Sequence, residues 1–283
     1  MSVTVAVIAM GEMGAGVARR LTSRGARVLT SLQGRGPGSA ERAAEAGVEA
    51  VADDQALVSG ADIVLSIVPP ARAGELAERL RPAIRAANPQ VVYVDCNAIA
   101  PQTLEGIAAR FAADGLPFVD AGIIGGPPTP EGYNPRIYAS GEGASAFTAL
   151  NDYGLDIRIL SDRMGEASAL KMAYAGSTKG TSAVMVSIML GAARAGVAPA
   201  LIAEMADSQP GRLEGAVRQL PQIYRKAYRW DGEMEEIAKF LQPETGGSEI
   251  FQGAADLYRE LAKDYEGGPE TERMALLSGF AKR

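Results

Sequence analysis

The run "VTVAVIAMGEMGAGVARRL", residues 3–21, is a short apolar strand, a glycine turn and an amphipathic helix with no linker between them. A strand that passes so directly into a helix must lay that helix back over its own sheet, and the next strand is then most readily parallel. The turn comes close to G-x-G-x-x-G: Ala9 holds the first place, then come Gly11 and Gly14, with Gly16 close behind. Gly11 would let a pyrophosphate approach the backbone at the helix N-terminus, and Gly14 would let helix and strand pack closely. An ordinary tight βα turn is the plainer explanation of one imperfect match. The first candidate cofactor-binding residues are Ala9, Met10, Gly11, Glu12, Met13 and Gly14.

The pattern continues. Strand-like runs at 3–9, 26–31, 61–68, 90–96, 117–122, 136–140 and 156–161 alternate in several places with helix-like segments such as 71–87 and 101–115. Such alternation implies a mainly parallel sheet covered on both faces. The apolar runs 3–9, 90–96 and 117–122 suit strands buried on both sides. Beyond residue 162 the strand signal stops. Residues 164–195 read as a buried helix interrupted near its glycines, and the remainder reads as helices broken at Pro199, 243–247 and 267–269. The expected organisation is an α/β domain over 1–162, followed by a smaller all-α domain over 163–283.

Composition narrows the chemistry. There is no histidine, so His-based proton transfer and His-ligated metals are excluded, and the lone Cys96 cannot build a thiolate zinc site. Acid–base work falls to Lys, Tyr, Asp, Glu or Cys. A net charge of -6 argues against a general nucleic-acid-binding role. No apolar run is long enough to span a membrane, and the N-terminal run reads as a strand rather than a signal peptide. A single cysteine suits a reducing cytoplasm.

The end of the second strand bears on cofactor choice. An NAD-type site usually places an acid there for the ribose hydroxyls. Here "LTSLQGRGPGS" has no acid from Leu29 to Ser39. Ser31, Arg35 and Ser39 could instead hold a 2′-phosphate, Arg35 through its planar fork. A solvated glycine loop is the alternative. Taken with the glycine turn, the segment favours NADP.

Five blocks in order carry a family resemblance: "MGEMG" (10–14), "SIVPPA" (66–71), "VDCNAIAP" (94–101), "DAGIIGG" (120–126) and "KMAYAGSTKG" (171–180). Together they make the chain resemble the superfamily of 6-phosphogluconate and β-hydroxyacid dehydrogenases. The "YRWDGEMEEIA" region (228–238) looks like a branch whose members are described only as oxidoreductases. The resemblance implies a Rossmann domain, a helical substrate and dimerisation domain, and an active site between them. It puts Ser66, Val68 and Pro69 along the nicotinamide, with Asn97 where the family more often has Ser, near both cofactor and substrate. It puts the substrate at Ile123, Ile124, Gly125 and Gly126, although Ile124 replaces the usual substrate-binding Ser. Lys171, Met172, Gly176 and Gly180 match the family helix. Tyr174, Ala175, Thr178 and Lys179 replace its His, Asn, Glu and Tyr, so the usual grip on a sugar phosphate is gone.

At helical spacing Lys171, Tyr174, Ala175 and Thr178 share a face. On pattern alone, Lys171 and Lys179 could be surface residues that pack their stems and hold their heads in water. With the resemblance, Lys171 becomes the expected acid–base residue, with Tyr174 and Thr178 able to hold or relay a proton and Lys179 able to meet an anionic group. The reading is an NADPH-dependent oxidoreductase of a small carbonyl/alcohol pair, working as a homodimer and without metal. An imine reductase is the alternative chemistry, although that group commonly has Asp or Tyr at the Lys171 position. A nicotinamide-nucleotide-binding protein without turnover is the alternative class.

Overall fold

The computed structural model describes residues 2–266 and 271–281; the expected break at 267–269 lies outside them. The chain divides into two compact units, residues 1–172 and 173–283.

In the first unit the order is β1 (Thr4–Ile8), α1 (Glu12–Ser23), β2 (Arg27–Ser31), α2 (Pro37–Glu45), β3 (Glu49–Val51), α3 (Asp54–Ser59), β4 (Ile63–Ser66) and α4 (Ala73–Ala87). It continues with β5 (Val92–Asp95), α5 (Pro101–Ala113), β6 (Phe118–Ile124), β7 (Arg136–Ser140), α6 (Ala144–Phe147), β8 (Asp156–Ser161) and the start of α7 (Glu166–Ala175). All seven expected strands form. The added one, β3, has three residues, two of them exposed, so its sequence carries no apolar signal.

The eight strands lie in the order β3-β2-β1-β4-β5-β6-β7-β8. Every neighbouring pair is parallel except β6 with β7. Burial on both faces explains the continuous apolar runs. On β1, Val5 and Val7 enter one core with Leu21 of α1, while Ala6 and Ile8 enter the opposite one with Leu80 of α4. Burying each of the larger of these side chains contributes about 1.5–3 kcal/mol. The chain order reverses between β1 and β4, which puts the switch point of the sheet at their carboxyl ends, the usual ligand crevice of such folds.

The second unit is helical. After a π-turn (Gly176–Gly180) come α8 (Thr181–Arg194), α9 (Ala198–Ser208), α10 (Pro210–Phe240), α11 (Thr245–Glu266) and α12 (Glu272–Ala281). Pro199 sits in the first turn of α9, where its missing N–H costs nothing. Helices α10 and α11 meet across the expected break at 243–247. Among the described residues no helix is long and apolar enough to cross a membrane.

Candidate active site in the first unit

The glycine turn is built as its spacing implies. A Cβ on Gly14 would drive into the carbonyl oxygen of Ala9, so glycine alone lets α1 start this close to β1. Gly11 is different. Its φ of -76° suits any residue, and an added Cβ would meet nothing within 4 Å. Nothing inside the chain requires glycine there, and the space suits a group brought from outside. Gly11 caps α1 without a side-chain bond, which leaves the positive end of the helix dipole with no side-chain cap. These residues fit a dinucleotide pyrophosphate. Met10 would contribute only backbone: its side chain is 1% exposed, and its carbonyl accepts a 2.6 Å bond from Arg42 Nε. Glu12 is exposed and Met13 half-buried.

At the next strand ends, Asn97 works as a clamp. Its Oδ1 accepts from the Val68 N–H at 2.7 Å, its Nδ2 donates to Ser66 Oγ at 2.8 Å, and its N–H donates to Asp95 Oδ1 at 2.9 Å. Ser66 is fully buried and Asn97 is 2% exposed, so both spend their side chains holding β4 to β5. Their reach toward a ligand is indirect, through the Val68 loop they fix. Ser31 is likewise buried, its hydroxyl turned to the Gln33 N–H.

Helix α7 is held by groups that sequence reasoning passed over. Asp120 accepts from Ser168 Oγ (2.7 Å), Ser168 N–H (3.0 Å) and Ser140 Oγ (2.8 Å), and Ser140 Oγ accepts from the Ala167 N–H (3.0 Å). A carboxylate at a helix N-terminus meets both unsatisfied N–H groups and the helix dipole. Gly122 brings the helix in closer still: a Cβ there would sit 2.9 Å from the Ala167 carbonyl oxygen and 3.0 Å from Lys171 Cβ. One turn along, Lys171 Nζ donates to the Ile123 carbonyl at 2.8 Å. Lys171 is half-buried and held at the carboxyl end of β6, beside the Ile124–Gly126 turn. The legible signal was "DAGIIGG", which contains both Asp120 and Gly122.

Asp120 lies directly across from Asp95 on the neighbouring strand, and both are fully buried. Burial pushes the Asp95 carboxyl up to about 7, against the hydrogen bonds from Asn97 that favour its charged form. Its Oδ2 is buried with no partner, as suits a neutral carboxyl. Burial also raises Asp120, opposed by its bonds from Ser168 and Ser140.

A small cavity of about 170 Å³ brings Arg35 together with Val68, Pro69, Arg72 and Arg79. Burial, then the charges of Arg79 and Arg72, lower the Arg35 pKa, partly opposed by the carboxylates of Asp54 and Glu75.

Tyr174, Thr178 and Lys179 belong to the second unit. Of the face expected for Lys171, Tyr174, Ala175 and Thr178, the first three keep α-helical spacing within α7, and the π-turn shifts the register only at Thr178. Ala175 is buried, whereas Tyr174 is 48% exposed. Thr178 spends its hydroxyl on the Tyr174 and Ala175 carbonyls. Lys179 has an anion of its own: it forms an ion pair with Glu233, lies 5.5 Å from the Trp230 ring centre, and its carbonyl accepts from Tyr258.

Comparison with known proteins agrees with this architecture. Residues 4–151 match the NAD binding domain of 6-phosphogluconate dehydrogenase, and the chain belongs to that family. Residues 192–261 match a domain of unknown function, DUF1932. The conserved protein MTH1747, of unknown function and with structural similarity to 3-hydroxyacid dehydrogenases, is 32% identical with a TM-score of 0.68 over 93% of this chain and 98% of its own. Mycobacterium tuberculosis 3-hydroxyisobutyrate dehydrogenase shares the fold, with a TM-score of 0.72 at 19% identity over 99% of each chain. An uncharacterized 28.5 kDa protein of Methanothermus fervidus is 29% identical over 62% of this chain, and the match spans 65% of that protein's length.

Proposed function

We propose that the protein is an NADPH-dependent oxidoreductase acting on a small carbonyl/alcohol pair such as a β-hydroxy acid, with Lys171 as the acid–base residue. The observation that carries this reading is the anchored Lys171 ammonium, which sits at the carboxyl end of the same parallel sheet whose glycine turn fits a dinucleotide.

A bound dihydronicotinamide supplies the hydride. Lys171 supplies the proton: its ammonium protonates the carbonyl oxygen as the C–O π bond breaks, and the resulting amine regains a proton from solvent. In the oxidative direction the neutral amine takes the hydroxyl proton. The Ile123 carbonyl fixes Nζ in place, which reduces the entropy of bringing donor and acceptor together. Asp120 and Gly122 position the helix that carries Lys171, and the Asn97 clamp positions the Val68 loop.

A second copy of the chain is the expected partner. On α8, Val184 and Ile188 are 49% and 53% exposed, a costly arrangement for apolar side chains unless another surface covers them.

The test is NADPH consumption with semialdehydes, keto acids and other small carbonyls, repeated with amines present. Carbonyl-dependent turnover without amine supports the reading. Turnover only with amine or cyclic imine substrates would transfer it to imine reduction, and tight NADPH binding with no turnover on any substrate would leave a binding protein.

A further inference from the structure

We propose that the hollow at the amino end of β6, the opposite end of that strand from Lys171, binds a small organic amine, with a hydrocarbon body in the hollow and an ammonium at its acidic rim. Such a site is separate from the coenzyme turn and independent of the NADPH reading.

Chain direction places the hollow. Strand β6 runs from Phe118 to Ile124, and the Ile123 carbonyl meets Lys171 near its carboxyl end. Phe118 lines the hollow at the other end. At about 3.3 Å per residue, Phe118 and Ile123 lie roughly 17 Å apart along the strand. Strand β7 is antiparallel to β6, and β8 runs parallel to β7, so the turns that leave β7 and β8 return to the Phe118 end. Those turns supply Glu142 and Asp162, and α5 supplies Glu105. The hollow shares no residue with the Arg35 cavity or the glycine turn.

Its shape and lining suit a hydrocarbon. The hollow measures about 630 Å³, inside the range of about 300–1,000 Å³ usual for small-molecule sites. On α5, Glu105, Ala108 and Ala112 stand at i, i+3 and i+7, so one stripe brings an acid and two methyl groups to the space. Larger side chains at the two alanines would fill it. Leu116 and Phe118 are buried beside them. Phe118 is set before any ligand arrives, its ring 5.6 Å from that of Tyr93 and 5.2 Å from that of Phe111. Met164 completes the apolar wall. Gly141, at a φ of +104°, makes way for it, since a Cβ there would sit 2.8 Å from Met164 Cε. A flexible thioether in such a wall adapts to flat or branched hydrocarbon.

Charge decides which hydrocarbon fits. Glu105, Glu142 and Asp162 are all exposed, whereas Leu116 and Phe118 are buried, so the hollow is apolar inside and acidic at its edge. Among the described residues no Lys or Arg lines it. The cations nearest in sequence are engaged elsewhere: Arg110 pairs with Glu78, and Arg163 with Glu166. Three like charges around one space repel an acid, and a neutral hydrocarbon would leave them unanswered. A primary alkylamine keeps its proton near neutral pH, as a lysine side chain does, and offers three N–H donors to the rim.

The experiment is calorimetric titration of the full chain with naphthylethylamine at fixed ionic strength. Two partial probes accompany it: naphthylethanol, which lacks the charge, and ethylamine, which lacks the body. The naphthyl amine should bind at least tenfold more tightly than either. E105Q, E142Q and D162N should each weaken it about two- to fivefold, the scale of an exposed charge pair. The triple variant should lose tenfold or more, with naphthylethanol unchanged. A112W fills the hollow but keeps every carboxylate, and it should weaken amine and alcohol alike by tenfold or more. The control triple E204Q/D207N/E214Q, which neutralises three exposed carboxylates of the second unit, should leave the amine within twofold. No measurable binding by wild type, equal affinity for amine and alcohol, or a rim triple that binds as wild type would each overturn the proposal. Equal losses in the rim and control triples would overturn it too, as diffuse attraction to a chain of net charge -6. Full affinity in A112W would put the amine outside the hollow and end the assignment.

Discussion

The two compact units treat positive charge in opposite ways. In the second, Lys179 has Glu233 as its counter-ion, an aromatic ring 5.5 Å away and a half-buried setting; its charge is satisfied within the unit. In the first, the guanidiniums of Arg35, Arg72 and Arg79 share one small cavity with the carboxylate of Glu75, and Asp54 pairs with Arg79. Both kinds of site contain Lys or Arg in helical or loop surroundings, and sequence spacing does not tell them apart. What separates them is the balance of charge around each, one cation to one carboxylate at Lys179 and three guanidiniums to two carboxylates at Arg35.

That contrast can be broken most severely at Lys171. Lys171→Ala should lower kcat by roughly 10²–10⁴-fold, the usual scale for general acid–base catalysis, while NADPH affinity stays within a few fold. Steady-state kinetics with a fluorescence titration would check it, and near-normal turnover would end the catalytic assignment. Next in size is Arg35→Ala, expected to weaken NADPH by about 1–3 kcal/mol and NADH by much less, as read by fluorescence titration with each. Equal weakening of both would mean that Arg35 does not read the 2′-phosphate.

The satisfied site should respond in stability instead. Glu233→Gln removes the counter-ion of a half-buried lysine and should cost about 1–2 kcal/mol in urea unfolding, with NADPH affinity unchanged. A large loss of cofactor or substrate affinity at unchanged stability would give Lys179 and Glu233 a ligand role after all.

The smallest effect concerns Asp95. Its folded carboxyl titrates near 7, above its ordinary range, so between about pH 4 and 7 the folded state binds more protons than the unfolded one. Stability from this group is fully present below that window and falls as pH rises through it; the upward shift of Asp120 acts in the same direction. Asp95→Asn should therefore flatten the fall in Tm between pH 5 and 8, and scans that fall as steeply as wild type would show that another group is responsible.

Much of the architecture was legible because it follows from local patterns. Seven strands announced themselves by their β-rich runs, the inner ones most clearly because strands such as β1 and β4 are buried on both faces, and the Gly14 contact with Ala9 was implicit in the turn spacing. The three-residue β3 was not, because its exposed residues have nothing apolar to reveal. The face expected for Lys171, Tyr174, Ala175 and Thr178 assumed 3.6 residues per turn throughout, and a π-turn changed that count at Thr178. The long-range partners were out of reach for a more general reason. Asp120 meets Ser168 across 48 residues, Lys179 meets Glu233 across 54, and Arg35 shares its cavity with Arg79. Periodicity and turn chemistry report the conformation of neighbouring residues, so strand, helix and glycine turn could be read directly from the chain. Whether a charge is answered depends on what folding brings beside it from far away, and only the packed sheet and helices settle that.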